Sequence, residues 1–122
     1  MKELILLVED DSFLTEIYTI KLKEAGFLIR TAINHDQCFE SIKEKTPDVI
    51  LLDVVLPSVS GIDILKEIRA NREYDGIKVI VLSNLGQKDE IKEGIKLGAE
   101  KYLIKADNTP SQVVEEVKQV LK

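Results

Sequence analysis

A single cysteine, Cys38, stands among the 122 residues. No internal disulfide can form, and a chain that needs none belongs in a reducing compartment, here the cytoplasm. No apolar run approaches membrane-spanning length, so no membrane partner is expected. Met1-Lys2-Glu3 leads straight into a strand-like run, too short a lead for a secretion signal. Basic residues are scattered, and 17 Lys and Arg against 22 Asp and Glu give a net charge of −5, so nothing suggests a nucleic-acid footprint. No internal repeat, low-complexity tract or linker interrupts the chain, so it reads as one domain over residues 1–122. With 44% hydrophobic residues there is material for a real core, in a body of roughly 14 Å radius of gyration.

The informative stretch is Val49-Ile50-Leu51-Leu52-Asp53-Val54-Val55-Leu56-Pro57. A short run rich in Val, Ile and Leu reads as a strand buried on both faces. An acid within it must lie at the strand's exposed end or have a strong reason for burial, because an unpaired carboxylate in an apolar interior is costly. Pro57 and the residues to Gly61 stop the strand and leave Asp53 at its carboxyl end, where an open α/β sheet binds ligands.

The rest of the chain alternates strands and helices. Leu4 to Val8 is a strand, and Ser12 or Asp11 caps a helix carrying Phe13, Leu14, Ile17, Ile20 and Leu22, stopped by Gly26. Phe27 to Ile33 is the second strand, and Asn34 caps a helix with Cys38, Phe39 and Ile42 on one face, ending before Pro47. After the third strand, Ser60-Gly61-Ile62-Asp63 opens a helix with Ile62, Leu65 and Ile68 inward, fraying into Asn71 to Gly76. Ile77 to Leu82 is the fourth strand, and a helix from Lys88 to Leu97, closed by Gly98, carries an internal Gly94 that costs about 1 kcal/mol against alanine. Tyr102 to Ile104 is the fifth strand. Thr109-Pro110-Ser111-Gln112 then combines an N-cap, a proline at the first helical position and a capping-box glutamine ahead of Val113, Val117, Val120 and Leu121. Such alternation predicts an α/β, doubly wound, five-stranded parallel sheet of order 2-1-3-4-5 with five helices.

That order sets strands one and three side by side and gathers Glu9, Asp10 and Asp53 at one sheet edge, with Ser83 and Lys105 at the ends of strands four and five. Each has a commonplace explanation alone, as a turn, cap or surface residue. Together, three carboxylates against one lysine leave a surplus of two negative charges. Two carboxylates about 5 Å apart repel by roughly 3 kcal/mol at an effective dielectric of 20. A hard divalent cation relieves that repulsion, and Mg²⁺ suits carboxylates, a carbonyl and waters. The charge count therefore predicts a metal site.

Val8-Glu9-Asp10-Asp11, Leu52-Asp53 with Pro57 and Gly61, Ser83, and Tyr102-Leu103-Ile104-Lys105 resemble, over the whole chain, the receiver domain of two-component response regulators, in the single-domain form of the chemotaxis regulator. The resemblance implies that Asp53 accepts a phosphoryl group from a sensor histidine kinase or phosphotransfer protein. It implies that Asp10, Asp53 and the backbone carbonyl of Val55 hold Mg²⁺ (or Mn²⁺), with Glu9 acting through metal-bound water. Lys105 would pair with one phosphoryl oxygen and Ser83 with another, and Tyr102 would swing inward as Ser83 is drawn to the phosphate. The product adds roughly 1.5 to 2 negative charges to one edge of the domain, switching an unidentified downstream protein through the face made by the fourth helix, fifth strand and fifth helix. The chain would be a monomer or a phosphorylation-dependent dimer, and no enzyme beyond its own phosphorylation and dephosphorylation.

Departures from the family pattern are informative. Ala106 follows the lysine where the family usually has a cis proline, and a cis non-proline bond costs about 3 kcal/mol, which favours a trans, differently shaped loop. Ser83 keeps the hydroxyl of the family's threonine without its methyl. Val55 and Leu85, two residues past the acceptor and the hydroxyl, cannot orient an attacking water, so a long-lived phosphoryl group is expected. His35, Tyr18 and Tyr74 read as structural or surface residues, and Cys38 as core. Two other functions compete. A Mg²⁺-dependent aspartyl phosphohydrolase would need an acid where Val55 stands. A pseudo-receiver, binding partners without phosphorylation, is favoured only by Ala106.

Overall fold

A computed structural model describes residues 2–84 and 88–122 of the chain. Five parallel strands form one sheet in the order β2-β1-β3-β4-β5. In chain order these are β1 (Leu4–Val8), α1 (Ser12–Glu24), β2 (Leu28–Ala32), α2 (His35–Glu44), β3 (Val49–Asp53), α3 (Gly61–Ala70), β4 (Lys78–Ser83), α4 (Lys88–Lys96), β5 (Lys101–Ile104) and α5 (Pro110–Val120). The stretch expected to fray after α3 holds a 3-10 turn, Arg72–Tyr74, and a second one, Lys105–Asp107, precedes α5. The second strand is shorter than expected at both ends, because Phe27 and Ile33 lie where β1 no longer offers a partner. Among the described residues no helix is long and apolar enough to cross a membrane.

Alternation along the strands divides the interior in two. Leu6, Val8, Ile50, Leu52, Val79 and Val81 face the layer of α2 and α3, against Cys38, Ile42, Ile64, Leu65 and Ile68. Ile5, Leu7, Val49, Leu51, Ile80 and Leu82 face α1 and α5, against Tyr18, Leu22, Val113, Val114 and Val117. With both faces covered, the central strands are continuous apolar runs. Burial pushes the Cys38 thiol up to about 12, so it stays protonated and acts as a small apolar side chain.

Caps match the sequence closely. Asp11, not Ser12, caps α1 by accepting from Phe13 and Leu14 N–H. Asn34 caps α2, Ser60 caps α3, and Thr109 with Gln112 closes a full capping box on α5. Two helices turn differently from expectation. In α1, Phe13 and Ile20 are exposed while Tyr18 and Leu22 are buried, and in α3 Leu65 and Ile68 are buried as expected together with Ile64, while Ile62 packs half-buried against the same core. Arg69, at the end of α3, donates to the carbonyls of Gly98, Tyr74 and Ile77 at 3.0, 3.2 and 2.7 Å. One guanidinium thus ties the end of α3 to the start of β4 and to the turn leaving α4.

Candidate functional site

Residue parity explains how the site assembles. Glu9 continues the phase of Ile5 and Leu7, Asp53 that of Val49 and Leu51, and Lys105 that of Leu103, all residues of the α1/α5 layer. Three ionisable groups, from the neighbouring strands β1 and β3 and from β5 across β4, therefore reach the carboxyl-end edge on one face of the sheet. Lys105 Nζ lies 2.5 Å from Glu9 Oε1 and 3.3 Å from Asp53 Oδ2. All three side chains are at most 7% exposed. Val55 N–H approaches Asp53 Oδ1 at 3.4 Å, and Asp11 N–H approaches Glu9 Oε2 at 3.3 Å.

Asp10 lies just beyond β1, exposed at the mouth of the site, and one carboxylate oxygen from each of Glu9, Asp10 and Asp53 fits within 4.8 Å of the others. Burial, and then the neighbouring Asp53, push the Glu9 carboxyl above its ordinary range, against the pull of Lys105. Burial works to lower the Lys105 ammonium, but hydrogen bonding to Glu9 and the charges of Asp53 and Glu9 outweigh it and hold its pKa up. Both partners agree on one picture: Lys105 is a permanent cation, insufficient for the acids around it. Hard oxygen donors so arranged, with net negative charge and one exposed member giving access, fit a hard divalent cation such as Mg²⁺.

Tyr18 was not anticipated here. Its phenol is buried in the α1/α5 layer beneath the acidic residues, and burial raises its pKa while Lys105 opposes that and Glu9 and Asp53 add to it. Its signal was its position seven residues after Asp11, two helical turns in from the cap.

Ser83 and Tyr102 belong to the opposite face. Ser83 continues the phase of Val79 and Val81, and Tyr102 pairs with Val81, so both side with the α3/α4 layer. Ser83 is fully buried and lies one residue past Leu82, the register partner of Asp53. Tyr102 meets α4 at Gly94, which is buried while its neighbours Lys92, Glu93, Ile95 and Lys96 are exposed. A Cβ on residue 94 would stand 3.0 Å from Tyr102 Cδ2. The internal glycine that weakens α4 is therefore also the seat of the Tyr102 ring. Gly94→Ala is expected to gain well under the usual ~1 kcal/mol of helix propensity, because the contact takes part of it back. It should also shift the Tyr102 ring resonances and leave those of Tyr74 in place, as NMR spectra would record.

Val55 is 60% exposed beside Asp53. Leu85 lies outside the described residues. No cis peptide occurs among the described residues, so the Lys105–Ala106 bond is trans and the loop forms the 3-10 turn. His35, the first residue of α2, lies between Asp36 at 2.9 Å and Glu67 at 2.8 Å and against the Phe39 ring. Those two carboxylates, Asp36 first, raise its pKa.

Comparisons with known proteins agree with the geometry. Residues 5–118 match the profile of the response regulator receiver domain. The chain is 31% identical over 118 residues to the phosphate regulon transcriptional regulatory protein PhoB of Rhizobium meliloti, covering 97% of this chain and 52% of that protein. It is 31% identical over 122 residues to the DNA-binding response regulator MtrA of Mycobacterium tuberculosis, covering 100% of this chain and 52% of that protein. The chain thus spans about half the length of these curated relatives. A crystal structure of a putative response regulator from Chloroflexus aurantiacus superposes with a TM-score of 0.91 at 27% identity, covering 99% of this chain and 98% of that one. Sheet order, the acidic edge with its lysine, and these matches agree: the chain belongs to the response regulator receiver domain family.

Proposed function

We propose that Asp53 is the phosphoacceptor of a two-component or phosphorelay signalling system. The observation that carries this reading is one carboxylate held at a strand end between a buried lysine and two further acids. With Lys105 3.3 Å from Oδ2 and Val55 N–H on Oδ1, Asp53 is held as a nucleophile needing no general base. An Asp53 oxygen bonds to phosphorus as the P–N bond of a donor phosphohistidine breaks, and the imidazole leaves. Lys105 moves from carboxylate to phosphoryl oxygen, offsetting the charge in transfer, which is most of what such a reaction needs. Ser83 donates its hydroxyl to a second oxygen. Asp10, Asp53 and the Val55 carbonyl would hold Mg²⁺ or Mn²⁺, with Glu9 acting through bound water, and the ion when bound supplies further charge neutralisation at the phosphoryl group.

The phosphorylated site draws Ser83 towards it, and Tyr102, on the same sheet face and seated on α4, follows. The α4-β5-α5 face then presents itself differently to a downstream protein. In the proteins it resembles, named for transcriptional regulation and DNA binding, a portion this acidic would be the regulated part rather than the DNA-contacting one. Val55 shields Asp53 without orienting a water, so the phosphoryl group is expected to persist well beyond seconds.

Intact-protein mass spectrometry after incubation with a small phosphodonor and Mg²⁺ tests the reading. One added phosphoryl group is expected, absent in Asp53→Asn and with a chelator. No gain in the folded wild type would turn the reading to a pseudo-receiver, and a gain in Asp53→Asn would move the acceptor elsewhere. A separate expectation concerns the metal. Mg²⁺ at a hundredfold its dissociation constant should add about 2.7 kcal/mol to folding stability, read as a raised thermal midpoint. Asp10→Asn should remove most of that increment while making the metal-free protein more stable, because one of three crowded carboxylates is gone.

A further inference from the structure

β2 is an edge strand, and among the described residues no strand pairs with its outer side. Leu28 N–H donates to the Glu3 carbonyl and Ala32 accepts from Glu9 N–H, both at 3.0 Å. By the alternation of a parallel ladder, Ile29 and Thr31 turn their N–H and C=O groups away from β1. The next outward donor, Ile33 N–H, is already taken by the Gln37 side chain at 3.0 Å. Ile29 and Thr31 open into a groove of about 1090 Å³ walled by α1 on one side and α2 on the other. Thr19 stands in its α1 wall, its hydroxyl buried with no hydrogen-bond partner among the described residues.

Towards the start of β2 the groove runs on into a hollow of about 510 Å³, lined by Lys2, Lys23, Arg30 and Lys45 with Leu28 and, among the described residues, by no carboxylate. Arg30 is engaged by Glu44 at 2.7 Å. Among the described residues, no ion pair engages Lys2, Lys23 or Lys45. In a chain of net charge −5 this is a local reversal of sign, set beside a 43%-exposed leucine.

We propose that the β2 edge is a docking surface for an extended acidic segment of a partner protein. The segment adds as a sixth strand on Ile29 and Thr31 and sets its carboxylates among Lys2, Lys23 and Lys45. Strand addition of this kind takes affinity from main-chain hydrogen bonds and selectivity from flanking side chains, and both are present here. A flat anionic bilayer meets the lysines but not a backbone edge recessed between two helices. A second copy, paired antiparallel about the middle of β2, would oppose Arg30 to Arg30, a destabilising like-charge pair. The surface starts at the amino ends of β1 and β2, the far end of the sheet from Asp53, so it goes beyond the phosphoacceptor reading and does not depend on it.

The test uses a fluorescein-labelled eight-residue peptide of alternating Glu and Val, titrated at low salt and followed also by ¹⁵N amide shifts. Binding is expected with shifts centred on Ile29 and Thr31. Lys23→Glu with Lys45→Glu should weaken it at least about tenfold, whereas Asp53→Asn leaves it intact. Absence of binding, shifts elsewhere on the protein, or equal binding of a Lys-Val peptide would overturn the proposal. So would equal binding of a backbone N-methylated Glu-Val peptide, which keeps the charge but cannot form the ladder. Two further outcomes also count against it: sedimentation showing a peptide-independent dimer that the same charge reversals dissolve, and capture by anionic vesicles that the reversals abolish.

Discussion

Gly61→Ala is expected to cost about 3 kcal/mol or more of folding stability. Residue 61 is the first of α3, packed directly on the end of β3. A Cβ there would stand 2.0 Å from the Asp53 carbonyl oxygen, 2.8 Å from its carbon and 2.9 Å from Val54 Cα. All three atoms are backbone, so no side chain can swing aside. Relief requires the start of α3 to move off the strand, breaking the 2.8 Å bond from Gly61 N–H to the Val54 carbonyl and disturbing the Ser60 cap. The glycine is required by crowding, because its φ is not in the left-handed region. Gly76→Ala is the matched control: nothing lies within 4 Å of its added methyl, and the substitution should be neutral or gain up to about 1 kcal/mol. Urea unfolding of both variants decides it. If Gly61→Ala unfolds within about 1 kcal/mol of the wild type, β3 and α3 are not packed as described. The contact also concerns function, since the carbonyl the added methyl would strike is that of Asp53 itself.

Much of this was legible because strand ends obey simple rules. Two apolar runs that end in acids, at Glu9 and Asp53, and two more that end at Ser83 and Lys105, locate the sheet edge, and the strand order then brings Glu9, Asp10, Asp53 and Lys105 together. Caps are equally local, which is why Asn34, Ser60 and Thr109 stand where their neighbours suggested. What escaped depends on contacts distant in sequence. Hydrophobicity cannot tell which apolar residues of α1 turn inward: Phe13 is 68% exposed while Tyr18, a more polar side chain, is buried. Arg69 finds its three carbonyls on segments up to 29 residues away, and no local pattern marks such a clamp. Gly94 reads as a weak point of its helix until the Tyr102 ring is seen against it. The alternation that puts Ser83 and Tyr102 on one face and Asp53 and Lys105 on the other was available in the strand phases. It becomes meaningful only with the register known.

Removing the positive charge at position 105 should have the other large effect. Lys105→Ala leaves Glu9 and Asp53, side chains only 1% and 7% exposed, without a cation. Losing one partner of a buried pair typically costs about 3–5 kcal/mol. Part of an alanine effect would be lost packing of the lysine stem, so Lys105→Met, which keeps an apolar stem, isolates the charge. The pH dependence identifies the cause. Burial and Asp53 already hold the Glu9 carboxyl above its ordinary range, and Lys105 is what pulls it down. Without the lysine that pKa rises further, so folded Glu9 binds its proton more tightly than unfolded Glu9. A carboxyl raised in this way favours folding at low pH and loses that contribution as pH rises through its folded value. The variant's deficit should therefore be largest at neutral pH and shrink on mild acidification, and Glu9→Gln added to Lys105→Met should recover much of it at neutral pH. Urea midpoints across that range give the answer. A deficit independent of pH and unmoved by Glu9→Gln would mean that Lys105 serves the fold by packing, and that the carboxylates at the sheet edge are held apart by something other than its charge.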